Sequence, residues 1–159
     1  MPLVLFIKME KNELIKKYCE FAKKNTLPEF KELDKEFFLS FPMSNIKDFP
    51  DNFHIYISNK ISDYLNGWIN FCHVLINGNP QSMILMKEAE FFDDTKKKEI
   101  IEVMRRLTIL SRMQHIVNFK NDKKESAEFI KYVWSEWKKI KPKLLEYAQT
   151  SLDKWKTEK

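Results

Sequence analysis

The side chains best suited to metal binding or nucleophilic catalysis in this sequence are three histidines, His54, His73 and His115, and two cysteines, Cys19 and Cys72. No histidine belongs to an ExxH or HExxH arrangement, the helix spacing that brings zinc ligands together. Cys72 and His73 are adjacent, so on a helix their side chains point about 100° apart and do not form a Cys–His pair. We therefore predict no metal site and no cofactor.

Phosphate-binding loops and acid–base pairs are equally scarce. The chain has two glycines and no GxGxxG, P-loop or GxSxG sequence, which argues against a glycine-rich phosphate loop. Neighbouring carboxylates, Glu88 with Glu90 and Asp93 with Asp94, lie near predicted helix ends, where capping explains them better than acid–base catalysis. The leading interpretation is therefore a non-enzymatic protein, and an enzyme with an unrecognised site is the third hypothesis.

One predicted helix carries a stripe of short, almost uncharged polar side chains at heptad spacing, formed by Asn59, Asp63, Asn66, Asn70, His73 and Asn77. The outer sides of the other predicted helices are rich in Lys and Glu instead. The stripe has two interpretations. It is partly buried beneath another helix or connector and bonds internally, or it lines a groove for a ligand or partner. The partner-binding candidates are Asn66, Asn70, His73 and Asn77.

Gly67 interrupts the same helix, where glycine costs about 1 kcal/mol relative to alanine. Close approach of a second backbone is the usual compensation, so the sequence predicts a tight helix crossing at Gly67. Asn66 and Asn70 lie next to this crossing and are expected to be structural. His73 and Asn77, nearer the helix end, are expected to face the partner.

Basic residues are concentrated in the C-terminal part of the chain. Residues 101–159 carry 14 Lys and Arg against 8 Asp and Glu, a balance of +6, whereas residues 1–100 carry 14 against 15. Tryptophans lie among them, and nucleic-acid sites combine cations for phosphates with aromatic rings for bases. An RNA- or DNA-associated accessory role is therefore the alternative function, although Trp137 falls on an apolar helix side, which favours a solvated basic surface. The candidate contacts are Arg105, Arg106, Arg112, Lys138, Lys139, Lys141 and Lys143.

The element that positions the polar stripe is a stretch of twenty-three residues, Tyr64 to Met86, without Asp, Glu, Lys or Arg. A seam at alternating spacings of four and three runs through it, which is the period of an α-helix; its members are Ile57, Ile61, Tyr64, Trp68, Phe71 and Leu75. A helix that is apolar over so much of its circumference is normally buried on most sides. The sequence therefore predicts a long central helix at about residues 51–77.

Helical periodicity continues on both sides of this central helix. The patterns predict a helix at about 10–25 and a second one from a Thr26–Glu29 capping box to before Pro42, with Phe38 and Phe41 on its buried side. Asp51 or Asn52 can cap the central helix. Two further helices are predicted at about 80–91, capped by Asn79 with Ile84 turned inward, and from Asp93 to about Phe119.

A last helix starts near Lys123, and Pro142 either kinks or ends it. Residues 43–51 form a predicted connector. We predict a single all-α domain over residues 1–159, a bundle of six helices, or seven if Pro142 breaks the last one. Met9 offers an alternative start, which would make residues 1–8 a disordered extension.

Composition sets the remaining expectations. At 159 residues the chain is long enough for one sizeable core without a metal or disulfide, and two cysteines without a motif indicate a reducing, cytoplasmic compartment. The polar residues of the charge-free stretch would be costly in lipid, so no membrane association is expected. The leading function is a helical binding or adaptor protein, a subunit of a larger assembly, whose protein partner the sequence does not identify.

Overall fold

The computed structural model describes the backbone of residues 2–40 and 49–158 and the side chains of residues 12–40 and 52–158. These residues form six helices and no strand, so the prediction of an all-α bundle is confirmed. The helices are α1 (Pro2–Asn25), α2 (Phe30–Phe37), α3 (Phe49–Asn77), α4 (Met83–Ala89), α5 (Asp94–Lys120) and α6 (Lys123–Thr157). None of the helices in the described ranges has both the length and the apolar character needed to cross a membrane.

The first two helices differ from their predicted bounds. α1 begins at Pro2 rather than near residue 10, and the alternative start at Met9 stays a prediction. Thr26 does not open the capping box, because it lies in the left-handed region with φ 56° after the end of α1. Glu29 is the N-cap of α2 instead, and its N–H donates to Glu32 Oε2 at 3.2 Å. Phe38 ends α2 with φ 53° and is 59% exposed, so its predicted burial is wrong. Phe41 and the predicted connector at residues 43–51 lie wholly or largely outside the described residues.

The predicted central helix corresponds to α3. It starts two residues earlier than expected, but Asn52 departs from helical geometry with φ −109° and ψ 19°, so the regular helix begins at the predicted cap region. It ends at Asn77, as predicted, because Gly78 adopts φ 67°, the left-handed conformation that terminates a helix.

The next helix is shorter than predicted. Asn79 does not cap it, because its Oδ1 accepts a hydrogen bond from the Gln81 N–H at 2.9 Å within a tight turn. Ser82 caps α4 instead, accepting from Leu85 N–H at 3.3 Å. Ile84, which was expected to face inward, is 66% exposed, and Ala89 is the one buried residue of this seven-residue helix.

The last two helices follow the predictions closely. Asp93 caps α5, accepting from Lys96 N–H at 2.8 Å. α6 runs as one helix from Lys123 to Thr157 with Pro142 inside it, so the described chain has six helices rather than seven. Pro142 is exposed, which leaves the carbonyl that lost its N–H partner near water.

The described chain divides into two compact units. Unit 1 contains the described residues up to Tyr64 together with Met113–Trp134, and unit 2 contains Leu65–Arg112 and Ser135 to the C-terminal end of α6. The core of unit 1 includes Leu14, Tyr18, Leu33, Phe37, Ile57, Ile61, Phe129 and Val133. The core of unit 2 includes Leu65, Cys72, Leu75, Ile100, Leu107, Ile140, Leu144 and Tyr147. The single domain expected from the sequence stays a prediction.

Candidate partner-binding surface

The polar stripe of α3 is mostly exposed rather than covered. Asn59 alone among its six members is half-buried, while the other five are exposed: Asp63, Asn66, Asn70, His73 and Asn77. The interpretation that the stripe lies beneath another helix or a connector is therefore wrong for these five residues. The structure brings all four partner-binding candidates onto one exposed side of α3, within unit 2.

Two members of the stripe form hydrogen bonds to α5. In unit 1, Gln114 Nε2 donates to Asn59 Oδ1, and Gln114 is buried. In unit 2, Ser111 Oγ donates to Asn66 Oδ1 at 3.0 Å. Asn66 thus combines an exposed side chain with one hydrogen bond to α5, and the structural role expected for it stays a prediction.

Asn70 does not have the structural role that was expected for it. Asn70, His73 and Asn77 are exposed and form no hydrogen bond with any side chain in the described part of the chain. Their amide and imidazole groups are therefore left to water or to another molecule.

Gly67 lies in open space. A Cβ atom built at this position would meet no atom within 4 Å, so the predicted helix crossing at Gly67 is wrong. Because Gly67 has no side chain, the backbone of α3 is accessible at this residue. Four exposed residues without charge on this side, Asn66, Asn70, His73 and Asn77, together with the exposed Gly67 beside them, are called the uncharged face below.

The charge-free stretch that contains this face is much less buried than its composition suggested. Only four of its twenty-three residues, Leu65, Cys72, Leu75 and Gly78, are buried. Ten are exposed, namely Asn66, Gly67, Asn70, His73, Asn77, Pro80, Gln81, Met83, Ile84 and Met86. Burial therefore does not account for the lack of charge.

Large apolar side chains of the same stretch also reach the surface of unit 2. Trp68 and Phe71 are half-buried, and their rings pack edge to face with centroids 5.4 Å apart. At the start of α4, Met83 is 91% exposed and Ile84 66% exposed. Aromatic residues and methionine without charges are the composition of the centre of a protein–protein interface.

The basic candidates for nucleic-acid binding lie partly in ion pairs. Arg105 donates two hydrogen bonds to Glu102, at 2.9 and 2.7 Å. Arg106 and Lys139 both bind Glu136, at 2.6 and 2.8 Å, and these bonds, the one from Lys139 first, hold the pKa of Glu136 below its usual value. Arg105, Arg106 and Lys139 thus each have a carboxylate partner inside unit 2.

The lysines of α6 do not form one surface. Successive helical residues are rotated by about 100°, so Lys138 and Lys141 lie on one side of α6, and Lys139 and Lys143 lie on nearly the opposite side. Trp137 is 2% exposed and faces the core, as predicted. Nucleic-acid binding by Arg105, Arg106, Arg112 and these lysines stays a prediction.

A buried His–Ser pair occurs in unit 1. His54 Nδ1 lies 2.7 Å from Ser126 Oγ, and the two residues are 2% and 0% exposed. Burial and then the positive charge of Lys123 lower the pKa of His54, while Asp122 opposes them. A serine without surface exposure offers no access to a substrate, so we assign the pair to structure.

The described residues contain no candidate metal site and no candidate thiol site. No three His, Cys, Asp or Glu side chains within them form a group that could hold a metal ion. Both cysteines are free: Cys19 is exposed, and burial raises the pKa of Cys72 to about 11. The Cys72 thiol is therefore a core group of unit 2 with little thiolate character.

Sequence reasoning missed one group of cations. In unit 1, Lys17 and Lys24 of α1 line the same groove as Lys123 and Lys124 at the start of α6. Sequence separation of about one hundred residues hides this proximity, because no local pattern indicates which helices are neighbours. We call it the lysine groove.

The comparisons with known proteins give no family for this chain. No protein-family model matches it, and no curated protein and no solved structure is detectably similar to it.

Proposed function

We propose that this protein is a non-enzymatic helical binding protein, an adaptor or subunit of a larger assembly, and that a protein partner docks on the uncharged face. The observation that carries this proposal is the exposure of ten residues in a twenty-three-residue stretch without a charge. About a third of the whole chain is charged, 32% of its residues. Charged residues are depleted at the centres of interfaces, because their desolvation is costly.

The shapes and hydrogen-bonding groups of the face support a helix as the docking element. Its side chains are short, and Gly67 leaves open space where the backbone of a partner helix can come close to α3. Asn70 and Asn77 each offer donors and an acceptor, which pair with the polar groups of a partner without introducing a charge. The partner surface that fits is therefore uncharged, with small or apolar side chains and a few amide or hydroxyl groups.

A cytoplasmic location is proposed because Cys19 and Cys72 are both free thiols. Nucleic-acid binding by the basic residues of α5 and α6 remains the alternative function, and an enzyme with an unrecognised site remains the third hypothesis.

Site-specific photo-cross-linking tests the proposed face. A photoreactive phenylalanine analogue at Asn70 should form adducts with a discrete partner in an extract of the source cells, identified by mass spectrometry. The matched control places the same analogue at Ser135, an exposed residue of α6 in the same unit. A discrete adduct at position 70 that is absent at position 135 is expected. The same adducts at both positions, or none at position 70, would contradict the proposal.

A further inference from the structure

The lysine groove in unit 1 has the volume of a small-molecule site. Its volume is about 760 Å³, within the range of about 300–1,000 Å³ that is typical of ligand pockets. It lies between α1, the start of α3 and the start of α6, and all of its lining residues belong to unit 1. Three elements thus contribute to one concave surface, and none of its described lining residues belongs to the uncharged face.

Two buried aromatic side chains that pack on each other form the apolar floor of the groove. Phe21 and Phe53 line it, are 8% and 5% exposed, and pack edge to face with centroids 5.4 Å apart. Lys123 Nζ lies 5.7 Å from the centroid of the Phe53 ring, so its ammonium group is held beside this floor by a cation–π contact. A ligand with a flat apolar group and an anionic group meets both kinds of surface here.

The charges around the groove favour an anion. Among the described residues, four lysines, Lys17, Lys24, Lys123 and Lys124, and two glutamates, Glu20 and Glu128, line it, so their formal balance is 4 − 2 = +2. Glu128 lies 3.9 Å from Lys131 and Lys17 lies 3.9 Å from Glu13, and both of these partners lie outside the groove. Lys24, Lys123 and Lys124 form no ion pair with a carboxylate among the described residues, although the charge of Lys124 helps to lower the pKa of Asp122. These three ammonium groups are able to bind a ligand.

The start of α6 itself contributes little to anion binding. Asp122 Oδ1 accepts a hydrogen bond from Glu125 N–H at 3.0 Å, so a carboxylate already occupies the helix N-terminus. The bonds to Glu125 and Lys124 N–H lower the pKa of Asp122 and keep it charged. The lysine side chains, rather than the helix N-terminus, must therefore recognise the ligand.

We propose that the lysine groove binds a small phosphate monoester that carries an apolar or aromatic group. Such a monoester has a charge of about −1.5 to −2 at pH 7, which matches the formal balance of the groove. Its phosphate oxygens accept hydrogen bonds from Lys24, Lys123 and Lys124, and its apolar part lies against Phe21 and Phe53. This binding site uses no residue of the uncharged face and is independent of the proposed function.

Calorimetric titration of the full chain with AMP, adenosine and inorganic phosphate at low salt tests this inference. AMP should bind, adenosine should bind much more weakly because it lacks the phosphate, and inorganic phosphate should compete with AMP. The double variant Lys24→Gln with Lys124→Gln should weaken AMP binding by at least about tenfold, because two charge-assisted hydrogen bonds are lost. The control pair, Lys97→Gln with Lys98→Gln at the start of α5, removes the same charge elsewhere and should change affinity by less than about twofold.

The same titrations define the results that would overturn the inference. Absence of AMP binding, equal binding of AMP and adenosine, or equal losses in the two pairs of variants would each do so. Equal losses would show that net charge, and not the groove, attracts the ligand. Binding of single-stranded RNA without any binding of AMP would show that the groove recognises a nucleic-acid backbone rather than a small ligand. This result would also overturn the inference.

Discussion

Ser111 Oγ donates a hydrogen bond to Asn66 Oδ1 at 3.0 Å, and this bond joins the uncharged face of α3 to α5 within unit 2. Ser111 is 3% exposed, so Asn66→Ala leaves a buried hydroxyl without this partner. We expect Asn66→Ala to lower the free energy of unfolding by about 1 kcal/mol. Asn70→Ala, four residues along the same face, should change it by less than about 0.5 kcal/mol. Urea denaturation of both variants measures the difference, and equal losses would contradict the assignment of Asn70 to the free surface.

We expect Gly67 to make the helix of the isolated chain less stable than alanine would at the same position. Gly67→Ala should raise the free energy of unfolding by up to about 1 kcal/mol, because alanine favours the helix and its Cβ meets no atom within 4 Å. Thermal denaturation followed by circular dichroism measures this gain. Gly78→Ala is the matched control and should destabilise, because Gly78 has φ 67° and a Cβ there would lie 2.7 Å from Met86 Sδ. A destabilising Gly67→Ala would show that another segment crosses α3 at that residue.

His54 should make stability depend on pH below neutrality. Burial, and then Lys123, lowers its pKa below the usual value of 6.5, so it is neutral in the folded chain and gains a proton more easily when unfolded. The stability that the folded chain has while His54 is neutral is therefore fully present above pH 6.5. It is lost as the pH falls from 6.5 toward the pKa of His54 in the folded chain. The slope from this one group is at most about 1.4 kcal/mol per pH unit.

Two histidine variants isolate this effect. His54→Gln should remove the loss of stability between pH 7 and pH 5, whereas His73→Gln, at an exposed residue, should leave it unchanged. Denaturant midpoints measured across this range give the comparison. An unchanged pH dependence in His54→Gln would mean that His54 is not the group responsible.

The Tyr147 hydroxyl is the one buried side-chain polar atom without a hydrogen-bond partner among the described residues. Burial raises the pKa of this phenol to about 12. Tyr147→Phe removes an unsatisfied group and should raise the free energy of unfolding by about 1 kcal/mol. Tyr18→Phe is the opposite case, because Tyr18 Oη donates to the Pro28 carbonyl at 2.8 Å, and it should destabilise by about 1 kcal/mol. Changes of the same sign in both variants would contradict this comparison.

The sequence predicted the helices better than it predicted their starts and their exposed sides. Periodicity located α3, α5 and α6, because long amphipathic patterns extend over many turns. The capping residues of α2 and α4 were misplaced, since Thr26 and Asn79 are suitable cap types that the tertiary structure uses in turns. The type of a residue shows only that it could serve as an N-cap. Packing of the neighbouring segments determines which of the suitable residues becomes the N-cap.

It was harder to predict which residues are exposed, because the composition of a segment does not determine how deeply it is buried. The charge-free stretch was interpreted as a helix buried on most sides, and it is exposed at ten residues. Helical spacing was nevertheless enough to place Asn66, Asn70, His73 and Asn77 on one side of α3, and their role in partner binding stays a prediction. The lysine groove was not found, because it joins residues of α1 and α6 that no local spacing relates.

Charge insertion on the uncharged face, followed by co-purification, tests the central claim most directly. The variant Asn70→Lys with Asn77→Lys places two charges where docking would bury them, at exposed residues where the folded monomer tolerates them. The control Ser135→Lys with Asn118→Lys adds the same charge at exposed residues elsewhere. Quantitative mass spectrometry of tagged protein should show a partner retained by wild type and control, and reduced at least about tenfold in the face variant, with unchanged melting temperatures. Equal recovery of every co-purifying protein by the face variant and the control would contradict the claim that the uncharged face binds a partner.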